Sequence, residues 1–299
     1  MSGVGATASI AVADPRRAAT DPAGASAATA TFGGTLYIAA KAPRPGLAKT
    51  RLGRAIGDEA AVRLYRAFLR DLAARFARAP FPVGWYVTPA DAWGELASLV
   101  GCARWRGPIL AQGEGDWTAR QRALLRGAFE RGEQRTILVA SDSPQLPVEV
   151  VAEAFALLDH HNVVLGPTSD GGYYLIGMRG WHDVLAGVRM STGTVLDEIL
   201  ARAAAAGIST GLVGATFDVD EVADLASLRD VAFARADLAA TRAALAALDR
   251  LALSMVAPGR PALAMTSPAL VVDTPLPIDG ALAGEPVPSR LAALHEVHA

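Results

Sequence analysis

An α/β fold with a mainly parallel central sheet, covered on both faces by helices, is predicted by two features of the sequence. Short β-rich runs alternate with longer helical patterns between residues 31 and 256, and such alternation is the signature of strands joined by helical crossovers. Hydrophobic residues make up 52% of the 299, enough to bury a substantial core in one large domain or two small ones.

The elements follow in chain order. "TLYIAA" (35–40) reads as a buried strand, and "DEAAVRLYRAFLRDLAARFARA" (58–79) as an amphipathic helix. "VGWYVTP" (83–89) is strand-like, and a helix is expected over 116–131, with Asp116 as its cap and Trp117 as a hydrophobic staple. The strand "TILVAS" (136–141) precedes a helix over 147–160, and the strand-like runs "NVVLGPT" (162–168) and "YYLIGM" (173–178) come next. A helix in "TGTVLDEILARAAAA" (192–206), the strand-like "ISTGLV" (208–213) and a last helical pattern over 233–256 complete the series. Residues 1–30 lack periodicity and cannot bury enough apolar surface to offset ordering entropy, so they are expected to form a disordered leader. Prolines recur from residue 257 onward and predict an extended, disordered tail over 257–299. A single folded domain over 31–256 is the resulting expectation.

Composition excludes several functions. The formal net charge of −2 gives no global attraction to nucleic acid or an anionic membrane. A lone cysteine, Cys102, rules out an intrachain disulfide, and it is not spaced as a zinc site with His160, His161, His182, His295 or His298. His160 and His161 close a helix, where cations are favourable, and need no chemistry. No apolar run approaches the roughly 18–20 residues of a membrane span, and the N-terminus lacks a basic-then-apolar signal pattern. A cytoplasmic location is expected.

Ligands of open α/β sheets gather at the carboxyl ends of the strands. After "TLYIAA" comes "KAPRPGLAKTRLG" (41–53), a run dense in cations. It is not a Walker loop, because Ala48 rather than Gly precedes Lys49. Lys41, Arg44, Lys49 and Arg51 nevertheless supply enough donors to neutralise a di- or triphosphate. Gly46, after Pro45, suits a type II turn that lets backbone approach the phosphate. A solvated surface loop is the alternative.

Acidic residues mark three further strand ends. Asp142 follows "TILVAS", and Asp218 and Asp220 lie in "DVDEVADL" after "ISTGLV". Each could instead cap the helix that follows it. As ligands they suit Mg²⁺, which takes one or two carboxylates plus phosphate oxygens. In "SDGGYY", Asp170 could bond a ligand hydroxyl or the metal while Gly171 and Gly172 permit close approach, or the three could form an ordinary turn between two strands. Tyr173 and Tyr174 read as sheet and core residues. Gln112, in "QGEGD", has no role that periodicity demands and is assigned to nucleotide binding.

As a set, "KAPRPGLAKTRL", "QGEGD" with Arg120, "SDSPQLP", "GPTSDGGYYLIG" and "DVDEVADL" resemble the DUF2064 family of bacterial transferases, within the nucleotide-diphospho-sugar transferase superfamily. The resemblance runs over residues 36–225. It implies a three-layer GT-A fold, a nucleotide or nucleotide-sugar donor, a small-molecule acceptor and a divalent metal, Mg²⁺ or Mn²⁺. It puts phosphate binding on Lys41, Gly46, Lys49 and Arg51, and metal binding on Asp142 and Asp220; beside these, Asp218 or Asp170 is expected in reserve as a metal ligand. Two chemistries are open. In glycosyl transfer, the metal at Asp142 and the basic loop hold the departing nucleoside diphosphate. In nucleotidyl transfer, Lys49 and Arg51 stabilise the α-phosphate transition state. Glycosyl transfer is the leading expectation. A nucleotide-binding protein without chemistry is a third reading, and it predicts broken acidic positions, whereas Asp142, Asp170, Asp218 and Asp220 are all present.

Overall fold

Seven strands form one sheet in the order β3-β2-β1-β4-β6-β5-β7 in the computed structural model, which describes residues 33–256 except 102–104, 106 and 191. The expected leader and tail lie outside the described residues. The strands are β1 (Gly34–Lys41), β2 (Val83–Thr88), β3 (Ile109–Ala111), β4 (Arg135–Ala140), β5 (Val163–Pro167), β6 (Tyr173–Arg179) and β7 (Thr210–Leu212). All neighbours pair in parallel except β6, which runs antiparallel to both β4 and β5. The carboxyl ends of six strands and the start of β6 therefore share one edge.

Strand β1 explains the layering. Its residues alternate between two separate cores: Leu36, Ile38 and Ala40 face one, Tyr37 and Ala39 the other. A strand buried on both faces has to be apolar almost throughout, as "TLYIAA" is. Over the first face lie α2 (Asp58–Phe76), α3 (Trp93–Val100), α5 (Val148–Leu157), α7 (Asp224–Ala234) and α8 (Ala239–Val256), contributing residues such as Phe68, Leu72, Leu96, Phe155, Leu228 and Leu245. The second face is covered by α4 (Trp117–Glu130) and α6 (Val195–Ala205) through Leu124, Leu125, Val195 and Ile199. This is the three-layer α/β architecture that the sequence predicts.

Three local features differ from expectation. The basic run is not wholly a loop, because residues from Thr50 to Ile56 form helix α1, anchored by fully buried Leu52. Helix α3 and the three-residue β3 occupy a stretch that carries no clear period. The last helical pattern is two helices: α7 ends at Ala234, a short 3₁₀ turn spans Ala236–Leu238, and α8 starts afresh. The restart has a non-local cause. Buried Asp71 on α2 accepts the backbone N–H groups of Ala240 at 3.0 Å and Thr241 at 2.7 Å, so the cap of α8 comes from another helix.

Candidate active site

Lys49 is the centre of the carboxyl edge. Its ammonium lies 2.5 Å from Asp142 Oδ1 and 3.0 Å from Asp220 Oδ1, and it donates to the Val219 carbonyl oxygen at 2.7 Å. The side chain is only 3% exposed. Burial opposes the charged form, but the Asp142 and Asp220 carboxylates outweigh it and push the pKa up to about 12. Asp220 is buried too, which favours its neutral form, yet the charges of Lys49, Arg51 and Lys41 hold it below the ordinary carboxylate range. The cations of the loop after β1 thus act on the carboxylate that follows β7.

Several bonds fix these strand ends relative to one another. Beneath the site, the hydroxyl of buried Tyr65 accepts the Lys41 N–H at 3.0 Å and is hydrogen-bonded to Ser141 Oγ at 2.8 Å, joining the ends of β1 and β4. The two acidic loops are tied by the Val219 N–H on the Asp142 carbonyl at 3.0 Å and by Gln145 Nε2, which donates to the Phe217 carbonyl at 2.6 Å. From behind, Arg75 donates to the Pro144 and Leu146 carbonyls at 2.6 and 3.0 Å and pairs with Asp237 at 2.6 Å. Tyr65 and Arg75 carry no motif signal in their own neighbourhoods, whereas Gln145 lies within "SDSPQLP".

The cap alternatives do not describe the three aspartates. The cap position of α5 is Pro147 and that of α7 is Ala223, neither helix has a side-chain cap bond, and it is Asp224 that gathers the N–H groups of Asp220 and Glu221. Asp218 is near the pair but engaged elsewhere. It accepts the Ser143 hydroxyl, makes no ion pair with Lys49, and burial, followed by the Asp142 charge, raises its carboxyl to about 7 despite that bond. Lys41 ends β1 exposed, and Gly46 has a φ of 72°, the left-handed geometry expected of its turn. Arg51 is 57% exposed, with Glu221 3.8 Å away. Arg44 pairs with Asp91 at 3.2 Å and Glu95 at 2.5 Å and so fastens the loop to α3.

Asp170, Gly171 and Gly172 form the hairpin turn between β5 and β6. Asp170 Oδ1 accepts Thr168 Oγ1 at 2.6 Å and the Gly172 N–H at 3.1 Å, which closes the turn on itself. Gly171, at φ 84°, packs so tightly on Gly193 that a Cβ would enter the Gly193 carbonyl. Gln112 follows β3, three strands from β4, which at the usual strand spacing is roughly 14 Å along the edge. Its Nε2 donates to the Tyr86 carbonyl at 2.8 Å, so Oε1 faces Arg120, 3.4 Å away. The structure therefore brings together Lys49, Asp142, Asp220, Arg51 and Lys41, and leaves Gln112 apart.

The donor set, carboxylate oxygens, suits a hard cation. Among the described residues no three His, Cys, Asp or Glu side chains converge as a metal site. Asp142 and Asp220 do converge, on an ammonium, and two carboxylates completed by phosphate oxygens are what Mg²⁺ takes from such a site. Asp218 is not part of that pair. Among the described residues no helix is long and apolar enough to cross a membrane.

Comparison with known proteins agrees with this fold. Residues 86–192 match the family described as "Uncharacterized protein conserved in bacteria (DUF2064)". A candidate nucleotide-diphospho-sugar transferase of known structure, from Desulfovibrio desulfuricans G20, is 30% identical, with a TM-score of 0.66 over 74% of this chain and 97% of that one. A cytidylyltransferase from Leptospira borgpetersenii is 9% identical with a TM-score of 0.42, over 74% of this chain and 94% of that one. A 4-diphosphocytidyl-2C-methyl-D-erythritol synthase from Anaerococcus prevotii is 10% identical with a TM-score of 0.44, over 71% and 96%. No curated protein matches the chain.

Proposed function

Because the chain belongs to the DUF2064 family and has the nucleotide-diphospho-sugar transferase fold, we propose that it transfers a glycosyl group from a nucleotide-sugar to a small-molecule acceptor. The observation that carries this reading is the pairing of Asp142 and Asp220, from two different strand ends, on one positive charge beside a loop of cations. That arrangement offers one place for a cation and, next to it, donors for a diphosphate. Arg51 and Lys41, with the backbone around Gly46, bind the donor's diphosphate through charge-assisted hydrogen bonds. Gln112 and Arg120, farther along the edge, contact the nucleoside, and the turn of Asp170, Gly171 and Gly172 borders the sugar.

Asp142 and Asp220 would hold Mg²⁺ or Mn²⁺. When bound, the ion supplies positive charge against the diphosphate that departs as the glycosyl bond breaks. Lys49 and Arg51 add positive charge beside the diphosphate as negative charge develops on it.

Nucleotidyl transfer is a second reading, favoured by one feature. Asp142 stands in Asp-Ser-Pro rather than in the Asp-x-Asp usual for glycosyltransferases of this fold. In that case Lys49 and Arg51 would stabilise the α-phosphate transition state and the pyrophosphate leaving group. Incubation with each nucleotide-sugar and each NTP, with Mg²⁺ or Mn²⁺, separates the two. Slow release of nucleoside diphosphate from a nucleotide-sugar supports glycosyl transfer. Pyrophosphate from an NTP, with nucleotide-sugars untouched, overturns it in favour of the second reading.

A further inference from the structure

Lys49 differs from the other cations of its loop in three ways. Its side chain is 3% exposed where that of Arg51 is 57% exposed. Its ammonium meets three oxygens, all of them at the two acidic strand ends: Asp142 Oδ1, Asp220 Oδ1 and the Val219 carbonyl. Its backbone is left-handed, at φ 54°, the one non-glycine with positive φ among the described residues. A lysine kept ready for a phosphate needs neither burial nor an unfavourable backbone. A lysine that has to reach the space between two carboxylates at a fixed point needs both.

Resting on the reading of Asp142 and Asp220 as the carboxylates that serve a divalent ion, we infer that Lys49 is a built-in cation occupying their shared position in the free protein. Mg²⁺ or Mn²⁺ then competes with the ammonium, and metal binding requires Lys49 to move away. Without nucleotide, the displaced ammonium gives up both of its carboxylate partners. With a diphosphate at the loop it gains an anion in their place, since Arg51 and Lys41 hold that anion beside it. Metal and nucleotide therefore favour each other's binding, through exchange of one lysine between carboxylate and phosphate partners.

The test uses the full chain and Mn²⁺ alone, with bound ion read from loss of the free Mn²⁺ electron paramagnetic resonance signal. Lys49→Met should bind one Mn²⁺ at least tenfold more tightly than the wild type, and Lys49→Met with Asp142→Asn should lose that gain. Equal or weaker Mn²⁺ binding by Lys49→Met overturns the inference. If Lys49→Met does not hold its fold in EDTA, circular dichroism gives the same answer: recovery of the folded signal on adding Mn²⁺ at constant ionic strength supports the exchange, and no recovery overturns it. Turnover of a nucleotide-sugar by the wild type reads the transferase proposal separately. Turnover without an Mn²⁺ gain in the variant sinks the exchange alone, whereas an Mn²⁺ gain without turnover of any nucleotide-sugar or NTP sinks the transferase reading alone.

Discussion

The Tyr65 hydroxyl and Ser141 Oγ lie 2.8 Å apart beneath the carboxyl edge, and the same hydroxyl accepts the backbone N–H of Lys41. One buried phenol from α2 thereby ties the strand that leads into the cationic loop to the strand that leads into Asp142. Burial, with the Asp142 charge second, pushes its pKa up to about 12, so it stays neutral and hydrogen-bonded at any working pH. Tyr65→Phe leaves the Lys41 N–H and the buried Ser141 Oγ without this partner. The expected loss is ~1–3 kcal/mol of unfolding free energy, measured by urea denaturation, together with weaker nucleotide binding. A variant as stable as the wild type would mean that the two strand ends are held by the sheet alone.

Arg51 is expected to behave in the opposite way. It is largely exposed and only loosely paired with Glu221, so the free protein gains little from it. Arg51→Ala should leave the melting temperature without ligand nearly unchanged. It should weaken nucleotide binding by ~1.5–3 kcal/mol, the range for a lost hydrogen bond to a charged group. Calorimetric titration checks this, and unchanged affinity returns Arg51 to a solvated surface residue.

What could be read from the sequence follows from the range of the interactions involved. Strand β1 and helix α2 were legible because burial on two faces and on one stripe, respectively, leaves a periodic pattern within the element itself. Helix α1 was not, since its seven residues sit among prolines, glycines and cations and owe their place to the burial of Leu52. At the site, the strand ends carrying Asp142, Asp220 and the cations could be named from spacing and strand order. The destination of Lys49 could not, because its partner Asp220 is 171 positions away, and a cation near a predicted phosphate loop is read as a phosphate ligand. Asp218 and Asp220 look equivalent in "DVDEVADL", yet one turns to Ser143 and the other to Lys49.

Asp71 offers a test of the fold away from the chemistry. Both of its carboxylate oxygens accept N–H groups at the start of α8, and it is buried. Asp71→Ala orphans two backbone donors and removes the cap that makes α8 a separate helix. Destabilisation of ~1–3 kcal/mol is expected, with early hydrogen exchange at Ala240 and Thr241 as the local readout. Wild-type protection at those two amides would show that α8 does not depend on this carboxylate.

Asp237 makes the acid side of the stability curve predictable. A hydrogen bond from Arg235 holds its carboxyl well below the usual carboxylate range; partial burial opposes this, and the hydrogen bond from Arg75 and the charges of both arginines reinforce it. The same two arginines grip the backbone after Asp142, Arg75 at the Pro144 and Leu146 carbonyls and Arg235 at the Gln145 carbonyl. A carboxylate whose pKa is depressed on folding contributes stability that is fully present above its unfolded value of about 3.9 and is lost as pH falls through the lower folded value. Asp237→Asn should therefore lower the urea midpoint at pH 6, and the gap to wild type should narrow as the pH is taken down past 4. Because the pair is half in solvent, high salt should shrink the gap at pH 6 as well. A gap that is constant from pH 6 into the acid range would mean that Asp237 acts through packing rather than through its charge.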